Sequence, residues 1–528
     1  MKAVRDGEPG AASSFILRRR RILQGILGTL ALTGRRAAAQ SGASLLGLPR
    51  HALVIGNGSY KDAPLKNPAN DARAIAEELK GAGFDVAVRL DAGREEMLKA
   101  IEAYGTYLTK RNAVGLFYFA GHGAQLAWRN YLIPVDAVIE TLEDMRARAV
   151  ELNLLLQGLT RAKKPMNVII LDACRDSPFG KRVPVDQKGL SQFDAPPGSL
   201  LAYATSPGNV ASDGDGANGL YTENLLRELK VPEAKIEDVF KRVRLAVRRR
   251  SNGQQIPWES TSLEEDFYFR PPRELKKLAE AEAQRQFEEE LAIWERIKEA
   301  NDPQPLEDYL KRYPSGQFSE LAQLRLDQVL ARQGEKKVQI VSSPENPFSK
   351  GTAVADTNRK VGDNYTYRVT DLYTGIESER YTQTITQVTD IEVIYDSGLI
   401  TDLLGNVLRF RDGRRSTGAQ IWGVDYAVGK RWTSRFRTAS PTGQTFQAEL
   451  DVRVAARESI TVPAGTFDAF RVDSQGWAIG GGINMQLRFK TWLAPDRVRS
   501  AIVIESLRQI GPRFIESSRQ ELVLYRQP

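Results

Sequence analysis

Two short apolar runs, each ending in a reactive side chain, constrain this chain more than any other feature. The first is Val114-Gly-Leu-Phe-Tyr-Phe-Ala120, followed by Gly121-His122-Gly123. The second is Asn167-Val-Ile-Ile-Leu171, followed by Asp172-Ala173-Cys174-Arg175. Both are rich in β-branched or aromatic residues and bounded by small or polar ones, the pattern of strands buried in a parallel sheet. A helical pattern from about Leu142 to Ala162 lies between them, as a right-handed crossover requires. Neighbouring strands stand about 4.8 Å apart, so their carboxyl ends would bring His122 and Cys174 close together. Open α/β sheets carry their sites at those ends.

The chain has one Cys and two His in 528 residues. A thiol becomes a competent nucleophile when a nearby imidazole helps to form the thiolate. The plainer reading is an inert buried Cys and a structural His. The glycines around His122, and the Asp two residues before Cys174, fit core filling poorly. The other histidine, His51, precedes a strand and so falls at the end of the sheet away from the site.

Gly121-His122-Gly123 after one strand and Asp172-Ala173-Cys174 after the next resemble the caspase, metacaspase and paracaspase group of cysteine peptidases. Leu53-Val-Ile-Gly-Asn57, Tyr131-Leu-Ile-Pro-Val-Asp136, Tyr203-Ala-Thr-Ser-Pro-Gly208, Gly219-Leu-Tyr-Thr222 and Pro257-Trp258 fit bacterial members of that group. The resemblance covers about residues 49–270, and Arg175 stands where many metacaspases have His. It implies an α/β caspase-like domain, a mostly parallel sheet flanked by helices. It also implies that Cys174 attacks the scissile carbonyl while His122 takes the thiol proton and returns it to the leaving amine. The N–H groups of Gly123 and Cys174 would hold the oxyanion. Asp71 and Asp172 would build the primary specificity pocket, and two carboxylates suit the guanidinium of an Arg before the cut. Taken alone, Asp71 also reads as a helix surface charge or cap, and Asp172 as a strand-end turn former. Substrates would be proteins or peptides. A second reading keeps the domain as a non-catalytic scaffold that works through the C-terminal region.

Residues 1–40 read as an export signal. Arg18 to Arg21 form a basic block, Ile22 to Thr33 an apolar run too short to span a bilayer, and Ala37-Ala38-Ala39 a cleavage site. Arg19-Arg20-Arg21-Ile22-Leu23 resembles a twin-arginine signal, so the expected location is the periplasm. Residues 1–39 hold eight Lys and Arg against two Asp and Glu; without them the net charge drops from +8 to about +2. The alkaline balance therefore makes no case for nucleic acid. A lone Cys outside the cytoplasm is a free thiol.

The intervening pattern predicts a strand over His51–Ile55, a helix over Ala69–Gly83, a strand over Asp85–Leu90 and a helix over Arg94–Arg111. A hairpin over Gln125–Val135 follows the third strand. Gly56-Asn57-Gly58 lacks the third glycine of a dinucleotide fingerprint, since Lys61 stands there. Ser212 to Gly219 fails as a calcium loop because its fifth position falls at Ala217. No metal and no cofactor is expected. Asp176 to Pro197 reads as an exposed loop carrying Lys181, Arg182 and Lys188, where self-cleavage would fall.

Residues 271–335 predict three helices acting as a linker or docking arm. Residues 345–528 read as all-β, with alternating strands separated by turn residues. Trp422, Trp432, Trp477 and Trp492 there read either as sheet packing or as a binding face with cation–π contacts toward an envelope partner.

Overall fold

The computed structural model describes residue 45 and residues 47–162, 166–174, 190–206, 216–263, 265–272, 280–335 and 352–528. The expected export signal, Arg175, the loop lysines and arginine, and the first half of the failed calcium loop lie outside the described residues.

The N-terminal part is an α/β sandwich. Its elements are β1 (Arg50–Gly56), α1 (Pro68–Gly81), β2 (Asp85–Leu90), α2 (Arg94–Arg111), β3 (Val114–Leu126), β4 (Arg129–Leu132), α3 (Leu142–Arg148), β5 (Val150–Glu151), α4 (Leu152–Ala162), β6 (Asn167–Cys174), β7 (Ser199–Tyr203), α5 (Leu220–Glu228), α6 (Ile236–Arg250) and β8 (Trp258–Thr261). The main strand order is β2-β1-β3-β6-β7-β8, and β4 and β5 extend the sheet from β3. All neighbours from β2 to β7 run parallel and β8 runs antiparallel.

Alternation along β3 explains both faces. Leu116 and Tyr118 join a core with Ile75 and Leu79 of α1 and Val239 and Val243 of α6. Phe117 and Phe119 join another with Met97 and Leu108 of α2 and Leu155 and Leu159 of α4. Each strand residue is fully buried, so a sheet wrapped on both sides needs the near-continuous apolar runs seen in the sequence.

The expected single helix over 142–162 is two. Thr141 and Asp144 form a capping box at the start of α3, which ends at Ala149. Val150 and Glu151 then pair with Leu132 and Tyr131 of β4. Val150 is 1% exposed, and burying a β-branched residue against an edge strand outweighs continuing the helix.

Three helices follow: α7 (Glu280–Ile297), α8 (Pro303–Arg312) and α9 (Ser319–Arg332). They bury Trp294, Tyr309 and Phe318 in a core of their own, and Leu245 of α6 packs against it. Arg248 of α6 pairs with Asp327 and Glu335, while Arg325 of α9 reaches Asp390 at 2.7 Å. The segment therefore braces the sandwich against the C-terminal region.

That region is a closed antiparallel barrel. Its strands are β10 (Asn364–Asp371), β11 (Glu377–Val388), β12 (Glu392–Tyr395), β13 (Ile400–Asp402), β14 (Val407–Arg409), β15 (Arg415–Ser416), β17 (Arg431–Ala439), β18 (Thr445–Val462), β19 (Gly465–Gly480), β20 (Ile483–Leu493), β21 (Ala501–Ile510) and β22 (Arg513–Arg526), with β22 closing on β10. A separate pair, β9 (Thr352–Val354) and β16 (Asp425–Ala427), lies beside it. On β18, Ala448, Leu450, Val452 and Val454 are buried while Asp451 and Arg453 are exposed, the period of a sheet with one dry face. Among the tryptophans, Trp492 is buried and donates to Glu458, and Trp432 donates to Gln420 O. Trp477 is exposed, so the four do not make one face.

Candidate active site

The carboxyl end of β3 breaks register with β6. Ala120 pairs with Asp172, but the next partners are Gly123 and Cys174. Three steps on β3 match two on β6, so one residue bulges out at Gly121-His122. Bulges re-aim side chains near sites. Both flanking glycines are required by space. A Cβ on Gly121 would stand 2.7 Å from the Tyr60 hydroxyl, and one on Gly123 would stand 2.7 Å from Ala173 O.

The loop after β1 holds the imidazole. His122 Nε2 lies 2.7 Å from the carbonyl oxygen of Ala63, and the Tyr60 ring tilts against the imidazole at 4.5 Å between centroids. The His122 amide donates to the Tyr60 hydroxyl, which donates in turn to Ile133 O. His122 is 4% exposed, so this seat is dry. The loop itself is tied down twice. Asp91 accepts from the amides of Gly58 and Ser59 at 2.8 Å each. Buried Asn57 donates to Ala92 O and Ile133 O and accepts from the Ala92 amide. The Asp91 carboxyl is held below its usual range by these hydrogen bonds against the opposing cost of burial.

Cys174 closes β6 as the in-register neighbour of Gly123, the residue after His122. The strand ends thus carry the two reactive residue types side by side.

Asp71 and Asp172 converge on the first turn of α5. Asp71 accepts from Asn218 Nδ2 at 2.8 Å and the Gly219 amide at 3.0 Å. Asp172 accepts from Thr222 Oγ1 at 2.9 Å, and Thr222 shares a 2.6 Å bond with the Tyr118 hydroxyl. Both acids are nearly inaccessible, at 0% and 3% exposure. Burial, then the charges of Asp172 and Asp71, hold the Tyr118 phenol well above its usual value. Tyr118 thus lies within electrostatic reach of both acids.

His51 sits at the amino end of β1, stacked on Tyr107 at 4.0 Å. Burial pushes its imidazole down against the pull of Asp85. It takes no part in the site. Among the described residues, no cluster of three or more His, Cys, Asp or Glu could hold a metal ion.

Sequence reasoning gave no role to Ala63, Tyr60, Asn57, Asp91 or Thr222, although Asn57 and Thr222 end two of the stretches that fit the family. Ala63 acts through its carbonyl, which every residue carries, so nothing in the sequence could mark it. Asn57 was visible as a polar residue directly after a buried strand.

Residues 49–268 match the family described as Caspase domain. This segment is a caspase domain. The chain is 28% identical over 189 residues to human mucosa-associated lymphoid tissue lymphoma translocation protein 1, and equally to its mouse homolog. The alignment takes in 34% of this chain and 22% of each relative, so the chain spans about a fifth of the curated relatives it matches. The helical brace and the barrel lie beyond the family match. A caspase domain supports a caspase-family peptidase, or a scaffold on the same fold, with proteins as the class of molecule acted upon.

Proposed function

We propose that this chain is a cysteine endopeptidase that cuts after Arg or Lys, with Cys174 as nucleophile and His122 as base. The observation that carries the reading is the seat of His122. A carbonyl can only accept, so the bond to Ala63 O keeps the proton on Nε2 and leaves Nδ1 as the basic nitrogen. The Cys174 thiol would pass its proton to Nδ1, and its sulfur would attack the scissile carbonyl. The N–H groups of Gly123 and Cys174, neighbours in the β3–β6 ladder, would receive the oxyanion. The imidazolium would then protonate the leaving amine, and water would release the acyl group.

Asp71 and Asp172 supply the reason for a cationic side chain before the cut. Two carboxylates facing one specificity pocket would favour a guanidinium, whose planar fork would meet both better than an ammonium does. We propose further that residues 1–40 direct the protein out of the cytoplasm, and that the enzyme cuts itself after Lys181, Arg182 or Lys188.

The test is a fluorogenic tetrapeptide panel varying only the residue before the cut, with mass spectrometry of the incubated enzyme and N-terminal sequencing of the native protein. Arg over Lys over Asp is expected, with a mature start near Gln40. Preference for Asp would sink the pocket assignment, and an intact Met1 would sink cleavage of the signal. The scaffold reading draws support from the barrel, which forms the larger part of the C-terminal half. A cysteine-directed peptide probe bearing Arg separates the two, because a scaffold would leave Cys174 unlabelled.

A further inference from the structure

The barrel is hollow. It holds a cavity of about 620 Å³ that opens at one end, within the range of roughly 300–1,000 Å³ found for small-molecule sites. Its body is apolar: Phe436, Ala448, Ala478, Leu487, Phe489 and Ile504 line it. In register, Phe436, Ala448 and Ala478 stand side by side on β17, β18 and β19, so two small residues keep that wall open.

The two ends of the barrel differ. One is filled by Tyr365, Val393, Phe467 and Trp492, and there Asp390 meets Arg325 and Arg332 of the brace. Toward the other end the cavity reaches the β17–β18 turn, where Ser440 and Gln444 line it. Charge is concentrated in this lining. Three guanidinium groups, from Arg411, Arg414 and Arg508, face a single lining carboxylate, Glu516. Each guanidinium lies over an aromatic ring: Arg411 over Tyr381 at 3.9 Å, Arg414 over Phe410 at 4.7 Å, and Arg508 over Phe489 at 6.0 Å. Their ion-pair partners are Glu379, Asp412 and Glu516. A guanidinium carries five N–H donors and one carboxylate engages at most two of them, so capacity remains for a further anion.

The turn beside this end is apolar where it meets water. Tyr373 and Ile376 are each 67% exposed, Ile515 48% and Phe514 42%. The ring of Tyr373, in the β10–β11 turn, tilts against that of Phe514, at the start of β22, at 5.5 Å between centroids. Exposed apolar clusters of this kind mark places where apolar ligands or surfaces are met. On β18 the outer wall carries Glu449, Asp451 and Arg453, with Ala448, Leu450, Val452 and Val454 turned inward.

We infer that the barrel is a binding site for a single-chain amphiphile, with its apolar body in the cavity and an anionic head, carboxylate or phosphate, among Arg411, Arg414 and Arg508. The site is separate from the caspase domain and does not rest on the peptidase reading.

The test uses the delipidated full chain titrated calorimetrically with palmitate, palmitoyl lysophosphatidate and hexadecanol. One palmitate or lysophosphatidate per chain is expected, with hexadecanol at least about tenfold weaker for want of charge-assisted bonds. The stronger of the two anions identifies the source of the head group. A448F and A478F, made separately, should each abolish binding of all three while keeping the native circular dichroism. The double substitution R411Q/R508Q should weaken the anions about tenfold and leave hexadecanol unchanged. C174A should bind as the wild type does, since the proposal is independent of the thiol. No binding of any probe, or unchanged binding in both folded cavity-filling variants, overturns the proposal. Equal affinity for hexadecanol and the anions overturns the role of the arginines. Association with anionic vesicles that survives A448F and A478F would mark surface adsorption and also overturn it.

Discussion

The carbonyl oxygen of Ala63 accepts from His122 Nε2 across 2.7 Å, joining the loop after β1 to the end of β3. The contact favours the tautomer with the proton on Nε2, and it does so with a backbone atom that no side-chain substitution removes. Replacement of the ring itself is therefore the informative change. H122A should lower kcat/KM by about 10²–10⁴-fold, the usual worth of a positioned base. C174A should abolish turnover. The double variant should be no worse than C174A, because the two groups act as one unit. Progress curves on an Arg tetrapeptide check this; turnover by folded C174A at the wild-type rate would remove the assignment.

Tyr60 tests the seat without touching the reacting atoms. Y60F removes a hydroxyl that accepts from the His122 amide and donates to Ile133 O. Leaving these buried partners unmet costs about 1–3 kcal/mol. The expected result is a lower melting temperature together with a fall in kcat of about tenfold and little change in KM. A fall in KM-dependent terms alone would assign Tyr60 to substrate binding.

The acids at the start of α5 predict a change in specificity. D71N and D172N keep the shape of each side chain and remove one charge. Each should lower kcat/KM for Arg substrates by at least about tenfold while leaving residual cleavage of neutral substrates in place. The structural alternative, that they only complement the N-terminus of α5, predicts equal losses for every substrate together with lower stability.

Burial pushes the carboxyl of Glu237, at the start of α6, up to about 7. Its folded pKa is thus above its unfolded value. Below the unfolded value both states hold the proton, and between that point and about pH 7 the unfolded chain alone gives it up. Stability therefore falls as pH rises through this window and levels off above it. E237Q should flatten the slope and raise the melting temperature at pH 8. A melting temperature that rises equally at pH 4 and pH 8 would show that ionisation is not the cause.

The caspase domain was legible where chemistry and period coincide. Arg94–Arg111 and Asp85–Leu90 form a helix and a strand over the spans their patterns indicate. His122 and Cys174 stood out because reactive residues at the ends of buried runs do not serve packing. The division of α3 from α4 was hidden, since Val150 and Glu151 answer to Tyr131 and Leu132 some twenty residues earlier. The closure of the barrel was hidden for the same reason. Asn364 pairs with Arg526 across most of the C-terminal half, and alternation within one strand says nothing of its partner. The cavity depends on Ala448 and Ala478 being neighbours, which the sequence alone does not reveal.

The extra residue at the end of β3 fixes the length of that strand. Side chains alternate between the faces of a sheet, and the extra residue leaves Ala120 and Gly123 both in phase with Asp172 and Cys174. Deleting Gly121 would restore even pairing with β6, set His122 directly opposite Ala173 and remove the bulge that aims its ring. The better-matched ladder would be the inert one. Substitutions are therefore the milder changes at this point, while an insertion or deletion of a single codon would silence the site and leave the fold standing.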